Sequence, residues 1–168
     1  MMETNIMEFH YHFHVLRHYF ECHDILEEHW KEQDKFSKND PIVSLILFST
    51  ACYHYRRGNV KGALKTYQKS LQIAELNDQF DHLGIEKTQY ISVVNSQILR
   101  IQQNKSYQNI QLPLTSACYQ ALESAYDDFT FNYDEQISDY IKHYHLLRDR
   151  TEVINSRNLA YENRHAKR

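Results

Sequence analysis

Apolar residues recur at helical spacing along most of this chain. At about 100° per residue, Phe9, Leu16, Tyr19, Phe20, Leu26 and Trp30 share one arc, which predicts an amphipathic helix over residues 6–35. Ser37-Lys38-Asn39-Asp40 reads as a loop, and Asp40-Pro41 as a helix start, with a capping acid before a first-turn proline. The second helix, over 41–57, is apolar on two sides. Val43, Leu47 and Ala51 form one side and Leu45, Phe48, Cys52 and Tyr55 the other, so this helix is expected at the centre. Gly58-Asn59 ends it with a residue suited to a left-handed cap. A third helix over 60–76 is expected to bury Ala63, Leu64, Tyr67, Leu71 and Ala74; a fourth over 83–103 carries Ile91, Val94, Ile98 and Ile101. Residues 104–114 contain Pro113 and are expected to be extended, and helical patterning returns over 115–128 and 134–163.

This pattern predicts an all-α helical bundle. Residues 1–104 would form a three- to four-helix N-terminal core domain, and residues 105–168 a helical C-terminal extension packed on it. The 3 Gly and 2 Pro agree, since an all-β chain needs a turn every 8–12 residues or so. A chain of 168 residues can bury roughly two-thirds of its unfolded surface without covalent staples. Cys22, Cys52 and Cys118 form no CxxC pair and no disulfide framework, which points to a reducing, cytoplasmic location. No apolar run approaches the ~20 residues of a membrane span, and residues 1–8 lack the pattern of a signal peptide. A net charge of −3 gives no general pull toward nucleic acid, and the modest basic excess over 148–168 fits a solvated helix. Neither a membrane nor nucleic acid is therefore expected as a partner.

Polar residues interrupt the apolar stripes at two places. His23 and Glu27 stand at i, i+4 in the first helix, flanked by Tyr19, Leu26 and Trp30. His54 and Arg57 continue a face of the second helix begun by Val43, Leu47 and Ala51. If the two helices pack as antiparallel neighbours, His23, Glu27, His54 and Arg57 form a candidate polar cluster. Burying such charges without partners would cost several kcal/mol or so. One reading is a hydrogen-bonded network that fixes helix pairing. The other is a small ligand or catalytic site, with Glu or His as general base and Arg as an anion anchor. A metal at His23, Glu27 and His54 would be opposed by Arg57, so no metal and no cofactor is expected. His10, His14 and His18 form a second series at i, i+4, i+8 on the opposite face of the first helix; such a stripe can bind Zn²⁺ or Ni²⁺ adventitiously, but a face solvated or covered by the C-terminal helices is expected. Cys22 and Cys52 read as small core packers rather than nucleophiles.

The run Tyr19-Phe20-Glu21-Cys22-His23-Asp24-Ile25-Leu26-Glu27-Glu28-His29-Trp30 resembles the signature of the bacterial family called domain of unknown function 309, with Asp24 where Glu is usual. Its second block resembles Leu45–Cys52, then Tyr53-His54-Tyr55-Arg56-Arg57-Gly58-Asn59 and Gly62-Ala63. The two blocks cover about residues 13–76, and the remainder looks like the extension of longer Gram-positive members. The resemblance implies an all-α domain of no settled activity, in which His23, Glu27, Trp30, His54 and Arg57 are characteristic residues.

Two functions compete. Helices two and three resemble a degenerate tetratricopeptide-like hairpin, and 13 Tyr can furnish an aromatic surface, so a protein-interaction or regulatory module leads. Its partner would be another protein or a second copy of the chain. The alternative is a small-ligand-binding protein or enzyme working at the His/Glu/Arg cluster. No glycine-rich phosphate loop or nucleophile elbow supports catalysis. The cluster's geometry discriminates: an open pocket favours a ligand, a sealed network favours a structural role.

Overall fold

The computed structural model describes residues 2–134 and 137–147. Its α-helical segments are α1 (Thr4–Tyr11), α2 (Tyr19–Lys31), α3 (Pro41–Arg56), α4 (Val60–Glu75), α5 (Lys87–Gln102), α6 (Ser116–Ala125), α7 (Asp139–Lys142) and α8 (Tyr144–Leu147). Among the described residues the sole β pairing is an isolated bridge between Ile85 and Leu114, so the fold is an all-α bundle.

The single first helix expected over 6–35 is instead two. A π-turn over His12–Leu16 widens the end of α1, and Arg17 adopts a left-handed conformation at φ 54°. His18 N–H donates to His12 O at 3.0 Å, and the His18 ring caps α2 by accepting from Glu21 N–H at 3.3 Å. A left-handed arginine costs on the order of 1–2 kcal/mol. Tertiary contacts hold it there, because its fully buried guanidinium donates to Ile110 O and Asn132 O. The break resets the helical phase. Leu16 therefore leaves the expected stripe and is 40% exposed, while His10 and His14 are fully buried.

α3 is central, as its two-sided apolar pattern predicts, and packs between α2 and α4. α4 in turn packs against α5. Small hydroxyl residues let α3, α4 and α5 meet closely. Ser44 Oγ donates to Ser70 O at 2.8 Å, Ser70 Oγ to Ser44 O at 2.8 Å, and the Tyr90 hydroxyl lies 3.0 Å from Ser44 Oγ. Buried hydroxyls need such partners. Gly58 closes α3 with φ 86°, and Gly58 and Asn59 N–H bond Tyr55 O and His54 O at 3.0 and 2.9 Å. Asp40 occupies the cap position of α3, yet its carboxylate accepts from Trp30 Nε1 at 3.1 Å and Ser37 N–H at 2.7 Å, tying α2 to the loop.

α5 begins at Lys87, later than residue 83. A 3-10 turn over Asp81–Leu83 comes first and ends at Gly84, with φ 72°. Residues 104–114 form no helix, as expected, and Leu112 enters the main core. α6 is shorter than the predicted 115–128, and Cys118, Leu122 and Phe129 make a second apolar cluster against Met2, Met7, Tyr11 and Val15. Of the helix expected over 134–163, the described part holds the single turns α7 and α8, and residues 148–168 lie outside the described residues.

Candidate functional site

α2 and α3 present the two signature segments on neighbouring helices. Tyr19 and Leu26 are fully buried, and Trp30 is half-buried with Phe36 edge-on to its ring. His23 is held on its own helix: Nδ1 lies 3.0 Å from Asp24 Oδ1 and Nε2 lies 3.1 Å from Glu27 Oε2. The other Glu27 oxygen takes Lys31. The His23 and Glu27 side chains are 28% and 33% exposed, so the pair is half-buried. On α3, His54 Nδ1 lies 3.4 Å from Asn59 Nδ2, and the Arg57 guanidinium lies 5.1 Å over the Tyr53 ring. Burial, then the Arg57 and His145 charges, lower the His54 pKa from its ordinary value. His23 thus meets Glu27, and His54 neighbours Arg57, while no hydrogen bond or ion pair joins the two couples.

An aromatic bridge lies between them. The Phe20 ring stands 5.7 Å from His23 and 5.3 Å from Tyr53. On this bridge sits the chain's own C-terminal segment. His145 stacks on Phe20 at 5.0 Å, and its N–H donates to the Tyr53 hydroxyl at 3.0 Å. Tyr144 meets His18 edge-on at 4.6 Å, and Arg57 Nε donates to His143 Nδ1 at 3.4 Å. Sequence reasoning missed this segment as part of the site. Its signal was the dense Tyr140, His143, Tyr144, His145 run within an apparently ordinary helix.

His10, His14 and Arg17 make a buried basic centre. His10 and His14 stack at 5.7 Å, and His10 Nε2 bonds Leu83 O at 2.8 Å. Phe129 and Phe131 close over His14, so this face is covered, but by the non-helical stretch after α6 rather than by the expected C-terminal helices. Burial lowers the His10 pKa to about 4 and also lowers that of His14, with His10 and Arg17 adding to the effect. Arg56 reaches from α3 to donate to Arg17 O at 2.7 Å, its guanidinium 4.3 Å from the Tyr19 ring centroid. Burial pushes the Cys52 thiol up to about 12 and the Cys22 thiol upward as well, which keeps both protonated and suits core packing. Among the described residues no three His, Cys, Asp or Glu side chains gather as a metal site, and no helix is long and apolar enough to cross a membrane.

An all-α chain carrying these paired signature helices belongs to the family described as domain of unknown function (DUF309), whose model matches residues 6–66. A relative covers far more of the chain: "Uncharacterized protein YpuF" of Bacillus subtilis (strain 168) is 33% identical over 159 residues, spanning 90% of each chain. No solved structure matches.

Proposed function

We propose that this chain is a helical interaction module rather than a catalyst, and that its working face is the α2–α3 surface around Phe20, His23, Tyr53, His54 and Arg57. One observation carries the reading. Residues 143–145 lie against that face, with a ring stack, a backbone hydrogen bond to Tyr53 and a contact to Arg57. Half-exposed polar groups around an aromatic anchor are the usual makeup of a recognition surface. The partner class is a protein segment presenting adjacent aromatic and imidazole rings, as this one does. In this reading residues 1–104 form the docking domain and residues 105–168 the extension that supplies the cover.

The alternative, a ligand or catalytic site at His23, Glu27, His54 and Arg57, has less support, because the four side chains do not converge. The His23–Glu27 pair finds its partners on α2, while His54 meets Asn59 and Arg57 meets Tyr53 and His143.

A cis segment competes at an effective concentration of order mM, so the intact chain should resist an added peptide. The test uses a labelled peptide of residues 137–147 and fluorescence anisotropy. The expected result is weak binding to the intact chain and at least tenfold tighter binding to the full-length double variant Tyr144→Ala/His145→Ala. Adding Phe20→Ala to that variant should abolish the gain. A folded double variant that binds no better than the intact chain would remove the proposal.

A further inference from the structure

A cleft of about 450 Å³ lies among the C-terminal ends of α3 and α5 and the end of α7. Its walls carry the cations Arg56, Lys105 and Lys142 and, among the described residues, no carboxylate. Among the described residues, none of the three has an Asp or Glu within ion-pair distance.

Basic residues at helix C-termini ordinarily complement the negative end of the helix dipole. Here the backbone already fills much of that role. Gly58 and Asn59 N–H satisfy the last carbonyls of α3, and Asn104 and Lys105 N–H bond Ile101 O and Arg100 O at 3.0 and 2.9 Å. Lys142 ends a single turn, whose dipole is small. The three positive charges therefore exceed what the local structure asks for.

The cleft is also held in shape. Asn104 takes a left-handed φ of 58°, Arg100 Nη2 donates to Ser106 O at 2.6 Å, and the Tyr55 hydroxyl donates to Lys105 O. Arg56 is fixed by Arg17 O and the Tyr19 ring, and its Nε and Nη2 are buried without an acceptor. Val60, 47% exposed, and Ile101 add apolar wall.

We infer that this cleft binds a small organic phosphate ester, its dianionic head between Lys105 and Lys142 in the field of Arg56 and its body against Val60 and Ile101. The volume falls in the range of roughly 300–1,000 Å³ found for small-ligand sites and is larger than a bare phosphate ion requires. Lys142 belongs to the segment that covers the α2–α3 face, so the bound anion ties that segment to the core. This coupling, unlike the binding itself, rests on the interaction reading above.

The experiment is isothermal titration of the full chain with adenosine monophosphate, adenosine and inorganic phosphate. Saturable one-to-one binding of the monophosphate is expected, with none for adenosine and at least tenfold weaker binding for the inorganic ion. Lys105→Ala and Lys142→Ala should each weaken it at least tenfold while leaving the circular dichroism spectrum unchanged, and Lys105→Arg should restore it. No saturable binding of the monophosphate, or binding that both alanine variants leave intact, overturns the site. Equal affinity for inorganic phosphate overturns the organic ligand in favour of the free ion. Hydrogen exchange over residues 139–147 reads the coupling separately: slower exchange with the monophosphate supports it, and unchanged exchange despite binding overturns it. Failure of the peptide test with the monophosphate still bound would remove the interaction reading alone.

Discussion

His10 and His14 sit stacked in the core with no carboxylate among the described residues bonded to either, and burial makes the neutral form the stable one for both. In the unfolded chain each would take up a proton near pH 6.5. Below that pH the unfolded state binds more protons than the folded state, so stability is full above pH 6.5 and falls as the pH drops. For His10 the loss continues to its folded pKa of about 4. Each group contributes about 1.4 kcal/mol per pH unit within its window. His18, half-buried and also lowered to about 4, acts in the same direction. Urea unfolding should therefore show a midpoint that declines between pH 6.5 and 4.5, and a flat midpoint across that range would contradict the burial of the pair. His23 and Glu27 stand differently. A buried cluster would cost more to break, but side chains 28% and 33% exposed form a half-solvated i, i+4 pair. Replacing either with Ala should cost less than about 1 kcal/mol in a thermal or urea melt. A loss above 2 kcal/mol or so would show that the pair is more deeply embedded than this.

At the scale of elements, the turns show how the same residue type can carry different costs. Gly58 and Gly84 both have positive φ, at 86° and 72°. A Cβ at Gly58 would meet nothing within 4 Å, whereas at Gly84 it would overlap Cys118 Sγ and stand 2.8 Å from Cys118 Cβ. Gly58→Ala should cost about 1 kcal/mol, from left-handed strain alone. Gly84→Ala should cost that plus about 1–3 kcal/mol of overpacking, because α6 must move. Equal losses in parallel denaturation curves would mean that α6 yields freely at Cys118. The glycine ending α3 was readable from sequence, since Gly-Asn after an apolar run is a known stop signal. The break at Arg17 was not. No glycine or proline marks it, and an unbroken periodicity over 6–35 argues for one helix. It exists because the Arg17 guanidinium reaches Ile110 O and Asn132 O, partners 93 and 115 residues away.

Over the whole molecule, the central place of α3, the all-α class and the burial of Tyr19 and Leu26 follow from local period and composition. Those properties depend on residues three or four apart, which a single sequence displays directly. Individual members of the candidate cluster were legible for the same reason: an i, i+4 His-Glu pair is local, and it forms as the spacing implies. What His54 and Arg57 face is not local. The register of α3 against α2, and the seating of His143, Tyr144 and His145 on Phe20 and Tyr53, decide it. The cleft among Arg56, Lys105 and Lys142 likewise joins three separate stretches of chain, each unremarkable alone. The sequence by itself determined which segments are helical and which stripe of each is apolar, because short-range sterics and hydrophobic burial act within a turn or two. Only the tertiary structure decided where the first helix breaks, which histidines are buried and which charges meet, because these depend on contacts between residues that the chain brings together only on folding.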